Sequence, residues 1–354
     1  MTNLRFLHIF VTLCLLAIGA NAFSINRIEN RAADTSCAKT PNTSNPDDDS
    51  NNKNVKINYS TQEGETCTQE QKGEIETEFR NAIAMVNSAK ADWSKDGYED
   101  IFFAKTAQKM PKYKETVHDT LTRITEMLDG TVNAKDYTLT VTCAGKAKSC
   151  AKFVAFMKQA DKTHGTLNVC DHFFDKNIDR KQERYVDTTD NRLEQCENGS
   201  LDLRDAQRSR AGVLVHESIH TSYAMGGPDP GEDIAYGLDA ARLLAMGTFD
   251  RRCGNGPAMR ALTSNKPLCG KTPQDPKTED GLCKSELCMQ NPDSWSFVAT
   301  GIWFSEQCKK KIQLPQEDGG KTNAGISSKG KPNDNSAESH CNGYSTGVAD
   351  FPFD

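Results

Sequence analysis

The sequence predicts an α+β fold that is mainly helical, carries a small β-sheet and is stabilised by disulfides. Apolar residues recur at three- and four-residue spacing over residues 68–91 and 113–128, which indicates two amphipathic helices. Residues 137–143 and 165–170 instead alternate in polarity and are rich in β-formers, which indicates two short strands. Thirteen cysteines favour disulfides if the chain is secreted.

The helical prediction depends on two apolar stripes. The first consists of Ile75, Phe79, Ala82, Ile83, Val86 and Ala89. The second consists of Val117, Leu121, Ile124 and Leu128, and it stops at Gly130, a residue typical of helix ends. Both stripes have the spacing of a core-facing helix surface.

The first 22 residues predict secretion to the extracellular space. Arg5 precedes the apolar run "FLHIFVTLCLLAIGA", and the small-residue pattern Ala20-Asn21-Ala22 follows it. This is the organisation of a signal peptide, and the run is shorter than the roughly 20 residues that span a bilayer. Removal of this segment takes Cys14 away and leaves twelve cysteines, enough for up to six disulfides. Glycosylation sequons begin at Asn42, Asn58 and Asn198.

Charge and composition limit the partners and the domain organisation. The formal net charge of −6 becomes −7 when Arg5 is removed, which argues against nucleic acid and anionic membrane as partners. Polar, Asn- and Asp-rich residues 23–60 indicate a disordered leader or propeptide, and residues 309–354 indicate a polar tail. One domain is expected over 61–308, with insertions at about 172–207 and 252–290, and the protein is expected to be a monomer.

The stretch "GVLVHESIH" carries the strongest chemical signal. His216 and His220 are four residues apart, so on a helix both imidazoles lie on one face and can share a zinc ion. Glu217 is offset around the helix and could act as a general base toward a water molecule without being a ligand. The alternative is a helix whose histidines only cap or hydrogen-bond locally.

A third ligand is expected after the helix. The segment "GGPDPGE" breaks the helix, and a new helical pattern near Glu232 would place Asp233 in a first turn, facing the metal. Tyr236 shares the face of Asp233 and could donate its phenol hydrogen to a developing oxyanion. Asp229, Glu232 and Asp239 are rival ligands that composition does not separate from Asp233.

These residues resemble the aspzincin zinc metallopeptidases, which include the deuterolysins and the fungal peptidyl-lysine metalloendopeptidases. That family carries His-Glu-x-x-His followed by Gly-Thr-x-x-Asp-x-x-Tyr-Gly. Here "HESIH" and "GEDIAYG" match, but the loop between them is longer and lacks the threonine. The resemblance implies a zincin-like fold and one Zn²⁺ ion on His216, His220 and Asp233. It also implies Glu217 as the base and Tyr236 as the transition-state donor.

The resemblance extends over roughly residues 60–308 and implies further assignments. By likeness to the family, Cys67 would pair with Cys143, and Cys150 with Cys170. The segment "NPDSWSF" resembles a family segment in which Asp293 would line the pocket for a substrate side chain. Lysine-specific members carry a glutamate where this chain has Ser296, so the resemblance implies a weaker attraction for lysine.

The sequence therefore predicts a secreted zinc endopeptidase that acts on proteins or peptides. An alternative is a catalytically inactive secreted protein of the same fold that binds zinc or a host molecule. Intact Glu217 argues against that alternative, because a protein that only binds metal has no need of the base. A structural cell-wall protein with incidental histidines is the third interpretation.

Overall fold

The computed structural model describes residues 55–133, 135–145, 150, 153–159, 162–175, 186–247, 249 and 283–315. The predicted signal peptide, nearly all of the leader with Asn42, most of the 252–290 insertion and most of the tail lie outside these residues. The other two sequons are at the surface, because Asn58 and Asn198 are both exposed.

Helices make up most of the described chain. In chain order they are α1 (Gln69–Ala91), α2 (Tyr98–Phe102), α3 (Lys105–Gln108), α4 (Tyr113–Asp129), α5 (Thr189–Asn198), α6 (Leu203–Gln207), α7 (Arg210–Ile219), α8 (Ser222–Met225), α9 (Leu238–Ala245) and α10 (Pro292–Gln307). Short 3₁₀ helices cover Lys95–Gly97, Asp171–Phe173 and Ser285–Gln290. No helix among these residues is both long and apolar enough to cross a bilayer.

The two helices predicted from periodicity are present with nearly the predicted bounds. Helix α1 starts at a capping box, in which Thr68 Oγ1 accepts from Gln71 N at 3.2 Å and Gln71 Oε1 accepts from Thr68 N at 2.9 Å. Helix α4 ends at Gly130, whose φ of 70° is the left-handed conformation that glycine adopts most easily. Their buried faces pack against each other.

A mixed four-stranded sheet lies beside these helices. Its strands are β1 (Asn58–Tyr59), β2 (Thr138–Thr142), β3 (Ala155–Gln159) and β4 (His164–Val169), in the order β1-β2-β4-β3. The β1–β2 and β2–β4 pairs are parallel, whereas β3 pairs with β4 in the antiparallel sense and forms one edge. The predicted α+β class with a small sheet is confirmed, and β2 and β4 are the two predicted strands.

Three cysteine pairs lie at disulfide distance within the described chain. Cys67 pairs with Cys143 and Cys150 with Cys170, which are the two pairs that the family resemblance implies. Cys196 and Cys308 form the third pair and join α5 to the end of α10. Cys288 is a free, buried thiol, so the framework is smaller than the six disulfides that twelve cysteines allow.

Helix α10 lies at the centre of the domain. Every residue from Pro292 to Ser305 is buried, and the helix packs against α1, α6 and α7. Trp295 and Phe297 are among the largest fully buried side chains. A helix that is covered on all sides lacks a polar face, so its sequence has no amphipathic period.

Part of the insertion predicted at about 172–207 packs into the domain. Helices α5 and α6 lie in it, and Thr189, Arg192 and Cys196 of α5 are buried. Glu78 of α1 accepts hydrogen bonds from Thr189 N at 3.1 Å and from Thr189 Oγ1 at 2.5 Å. Polar composition is typical of solvent exposure, but Thr189 is bound by Glu78, and Arg192 contacts Gln195 and Asp205 inside the protein.

Candidate metal centre

Helix α7 carries the first histidine and the glutamate of the HESIH motif. Ser209 caps its first turn by accepting from Gly212 N at 3.1 Å, and Leu214, Val215 and Ile219 are buried. The helix ends at Ile219, so His220 occupies the C-cap rather than the helix interior. The two imidazoles are nevertheless adjacent, with ring centroids 5.1 Å apart.

His216, His220 and Asp233 form a group that could hold a metal ion. The Nε2 atoms of the two histidines are 3.3 Å apart. Asp233 Oδ1 lies 3.3 Å from His216 Nε2, and Asp233 Oδ2 lies 3.3 Å from His220 Nε2. Within the described residues, this is the one group of three or more potential ligands that meets at such distances.

The other ring nitrogen of each histidine is held by an acceptor. His216 Nδ1 is 2.6 Å from Asp293 Oδ1, and His220 Nδ1 is 3.0 Å from the carbonyl oxygen of Gly231. Both acceptors favour a proton on Nδ1 and turn Nε2 toward Asp233. Asp233 Oδ1 is buried and makes no hydrogen bond. These electron-rich atoms fit a cation between them.

Asp233 lies in an irregular loop, not in the first turn of a helix as the sequence predicted. Residues 231–237, called the ligand loop below, end the connection from α8 to α9, which begins only at Leu238. The loop is held by Gly231 N donating to Ile219 O at 2.8 Å and Glu232 N donating to Gln290 O at 2.9 Å. Its course is therefore set by the end of α7 and by the segment that precedes α10.

The rival ligands lie in different surroundings. Asp229 is exposed. Asp239 is 3.6 Å from Arg204 and 3.7 Å from Arg242 in two ion pairs. Glu232 and these two aspartates do not belong to the group around His216 and His220. Of the four acids weighed from the sequence, the structure places Asp233 beside both histidines.

Gly231 allows the ligand loop to approach α7, whereas the sequence indicated it only as one of the residues that break the helix. A methyl group at this position would lie 2.5 Å from Ile219 Cγ2 and 2.7 Å from Ile219 O. We therefore expect Gly231→Ala to displace the loop, to cost roughly 1–3 kcal/mol of stability as overpacking does, and to weaken binding of an added metal ion. Thermal unfolding and chelator-competition titration measure the two effects.

Gly227→Ala is the matched control for that substitution. It lies in the same connection, and a methyl group there would meet no atom within 4 Å. If the two alanine variants bind the added metal ion with equal affinity, close packing at Gly231 does not position the candidate metal centre.

Glu217 is buried beside the histidines and is not a ligand in this arrangement. It is 7% exposed, and its Oε2 accepts from the backbone N of Met157 in β3 at 2.8 Å. Burial raises the pKa of the Glu217 carboxyl, and the nearby histidines oppose this effect only in part. A carboxylate with a raised pKa is a stronger base, which suits a group that must accept a proton near neutral pH.

Tyr236 faces the same centre. Its ring centroid is 5.8 Å from that of His216, in an edge-on arrangement. Burial, followed by the charges of Asp293 and Asp233, raises the pKa of the phenol well above its ordinary value. The hydroxyl therefore keeps its proton and remains a hydrogen-bond donor.

Asp293 and Ser296 lie in buried positions at the start of α10. Asp293 contacts His216, as described above, and Ser296 Oγ donates to Gly212 O of α7 at 2.9 Å. Asn291 has a role that the sequence did not indicate, because its Oδ1 accepts from Ala235 N of the ligand loop at 2.9 Å. The Asn-Pro pair before a helix was the available signal, because proline is favoured in a first helical turn.

The histidines carry raised pKa values in the metal-free protein. Burial alone would lower the pKa of His220, but Asp233 and Glu217 raise it from 6.5 to about 9. The pKa of His216 also lies well above 6.5, because Asp293 and Asp233 outweigh burial. Burial would raise the pKa of Asp233, but the two histidines hold it well below its usual range.

These directions predict how the stability of the metal-free protein depends on pH. A histidine whose pKa is higher in the folded than in the unfolded state contributes stability that is complete below the unfolded value. We expect this contribution to be lost as the pH rises from about 6.5 toward 9, the value for His220. Thermal unfolding in the presence of a chelator should show the decrease. A melting temperature that rises over this interval would contradict it.

No protein-family model matches this chain, and no curated protein matches it.

Proposed function

We propose that this protein is a zinc metallopeptidase, and more particularly a secreted zinc-dependent endopeptidase of the aspzincin type. The observation that carries the proposal is the meeting of three metal-ligand side chains with a buried carboxylate, Glu217, whose pKa is raised. Ligands, base and donor are the parts that metal-assisted hydrolysis requires. The predicted secretory signal and the disulfide pairs support an extracellular location.

Two features favour zinc among the metals. Two imidazoles and one carboxylate are a usual ligand set for catalytic zinc, which keeps its fourth position open. Zinc ligands at about 2.0–2.1 Å in a tetrahedron lie roughly 3.3 Å from one another. His216, His220 and Asp233 have their facing atoms at 3.3 Å.

The chain's own residues account for the remaining chemistry. Zinc, when bound, would polarise the scissile carbonyl and lower the pKa of a water molecule. Glu217 would take the proton of the attacking water and deliver it to the leaving amine. Tyr236 would donate its phenol hydrogen to the carbonyl oxygen as negative charge develops there. The low polarity around α7 strengthens each of these interactions.

The edge strand β3 supports an extended peptide as the substrate. Because Met157 N donates to Glu217, this amide points away from β4. Alternation along an antiparallel strand makes Ala155 and Gln159 present their backbone groups to the same outer side. In the described part of the chain no further strand pairs with β3. A peptide could add to this edge next to Glu217.

The test is hydrolysis of denatured casein by the purified protein with added zinc, with a chelator, and with zinc restored after chelation. We expect activity only in the first and third conditions. Activity that survives the chelator would overturn a metal mechanism. One tightly bound zinc ion without hydrolysis of casein or of a peptide library would instead support the inactive metal-binding protein.

A further inference from the structure

Asp293 uses both carboxylate oxygens within the protein. Oδ1 lies 2.6 Å from His216 Nδ1 and accepts a weaker hydrogen bond from Gln207 Nε2 at 3.4 Å. Oδ2 accepts from the backbone N of Gly237. The side chain is 2% exposed, so little of it is available to a substrate.

These contacts join the two elements that carry the candidate ligands to a third element, helix α6. His216 belongs to α7, Gly237 ends the loop that carries Asp233 and Tyr236, and Gln207 ends α6. Asp293 lies in the first turn of α10, where the helix dipole favours a negative charge. The same segment holds the ligand loop through Gln290 O and Asn291 Oδ1. Residues 290–293 thus hold the loop in place by hydrogen bonds.

We propose that Asp293 is a positioning residue that orients His216 and the Asp233 loop toward the metal, and that it does not bind a substrate side chain. A carboxylate on the Nδ1 side fixes the ring orientation and directs Nε2 toward the metal. The family resemblance implied the opposite role, a pocket for a substrate cation. Both carboxylate oxygens of Asp293 accept hydrogen bonds within the protein, and Ser296 Oγ donates to Gly212 O. Neither side chain is therefore free to bind a substrate lysine.

The metal-binding half of this inference is independent of catalysis, and the substrate half rests on the proposed function. Asp293→Asn tests the first half. Asparagine has one acceptor oxygen and one NH₂ group, which only donates. The NH₂ group would therefore face an N–H donor of either His216 or Gly237, and that hydrogen bond would be lost. We expect zinc affinity to fall by about 10- to 100-fold, as it does when an outer partner of a ligand is lost.

Ser296→Ala is the matched control on the same helix. Ser296 is also fully buried, and its hydrogen bond joins α10 to α7 without reaching a ligand side chain. Thermal unfolding of the metal-free variants measures the packing loss, and chelator competition measures zinc affinity. The inference holds if Ser296→Ala binds zinc like the wild type while Asp293→Asn does not. Equal zinc affinity in Asp293→Asn and the wild type would overturn it.

A measurement on the wild type keeps the test valid if Asp293→Asn does not fold. Long-range ¹H–¹⁵N spectra of the zinc-loaded protein should show His216 protonated at Nδ1 and metal-bound at Nε2. The reverse pattern would overturn the inference, because Asp293 could not then accept from this ring.

Peptide hydrolysis tests the substrate half. At saturating zinc, Asp293→Asn should lower kcat/KM by the same factor for peptides with lysine or leucine after the scissile bond. A selective loss for lysine peptides would restore the pocket role. If the wild type cleaves no peptide, the proposed function fails, whereas the zinc-affinity and NMR results still decide the positioning role.

Discussion

Glu217→Gln should abolish nearly all peptide hydrolysis and leave zinc binding intact. General acid–base catalysis by a positioned group contributes about 10²- to 10⁴-fold, so we expect kcat to fall by at least about 100-fold. Glutamine is nearly isosteric with glutamate. Met157 N donates to Glu217 Oε2 at 2.8 Å, and the carbonyl oxygen of glutamine can accept the same hydrogen bond. The variant therefore removes the proton-accepting group with little change in packing.

The pKa of Glu217 explains why the effect should be large. Burial raises the pKa of this carboxyl, so its ionised form is more basic than that of an exposed glutamate. Glu126→Gln is a suitable control, because Glu126 accepts from Tyr223 at 2.9 Å and contacts none of the proposed ligands. Hydrolysis of a quenched fluorescent peptide and zinc stoichiometry are the measurements. If Glu217→Gln keeps more than a tenth of the activity, the base is another group.

The elements that hydrophobic periodicity predicted have a more buried and a more exposed face. Helices α1 and α4 and strands β2 and β4 have such faces, and their apolar positions repeat with the period of the element. Helix α10 is buried throughout, so its position cannot be derived from periodicity. Helix α5 buries Arg192 and Thr189 instead of apolar residues, which explains why its sequence resembles a surface segment.

The metal centre shows the same division between local and long-range information. The four-residue spacing of His216 and His220 is a local signal, and it placed both rings together even though the helix ends at Ile219. The course of the loop around Asp233 depends on Asn291 and Asp293, each 56 residues from its partner in the loop. Contacts over that distance are set by tertiary packing, and no local pattern encodes them.

Asp233→Ala should remove zinc binding while the protein stays folded. Asp233 supplies a carboxylate whose two oxygens lie 3.3 Å from the two histidine Nε2 atoms. Loss of an outer partner already costs about 10- to 100-fold in metal affinity, so loss of a ligand should cost more than about 100-fold. Removal of this charge also removes the main cause that raises the pKa of His220. Chelator competition and the ¹H–¹⁵N spectra of the imidazoles measure these two effects.

The fold should survive because the Asp233 side chain does not hold its own loop. The loop is fixed through the backbone amides of Glu232, Ala235 and Gly237, which donate to residues 290–293. Asp229→Ala is the matched control, since Asp229 is an exposed acid in the same connection. We expect this variant to bind zinc like the wild type. If Asp229→Ala loses zinc and Asp233→Ala keeps it, the third ligand is Asp229. The loop would then have to close over the histidines by a different path, without the hydrogen bonds to residues 290–293.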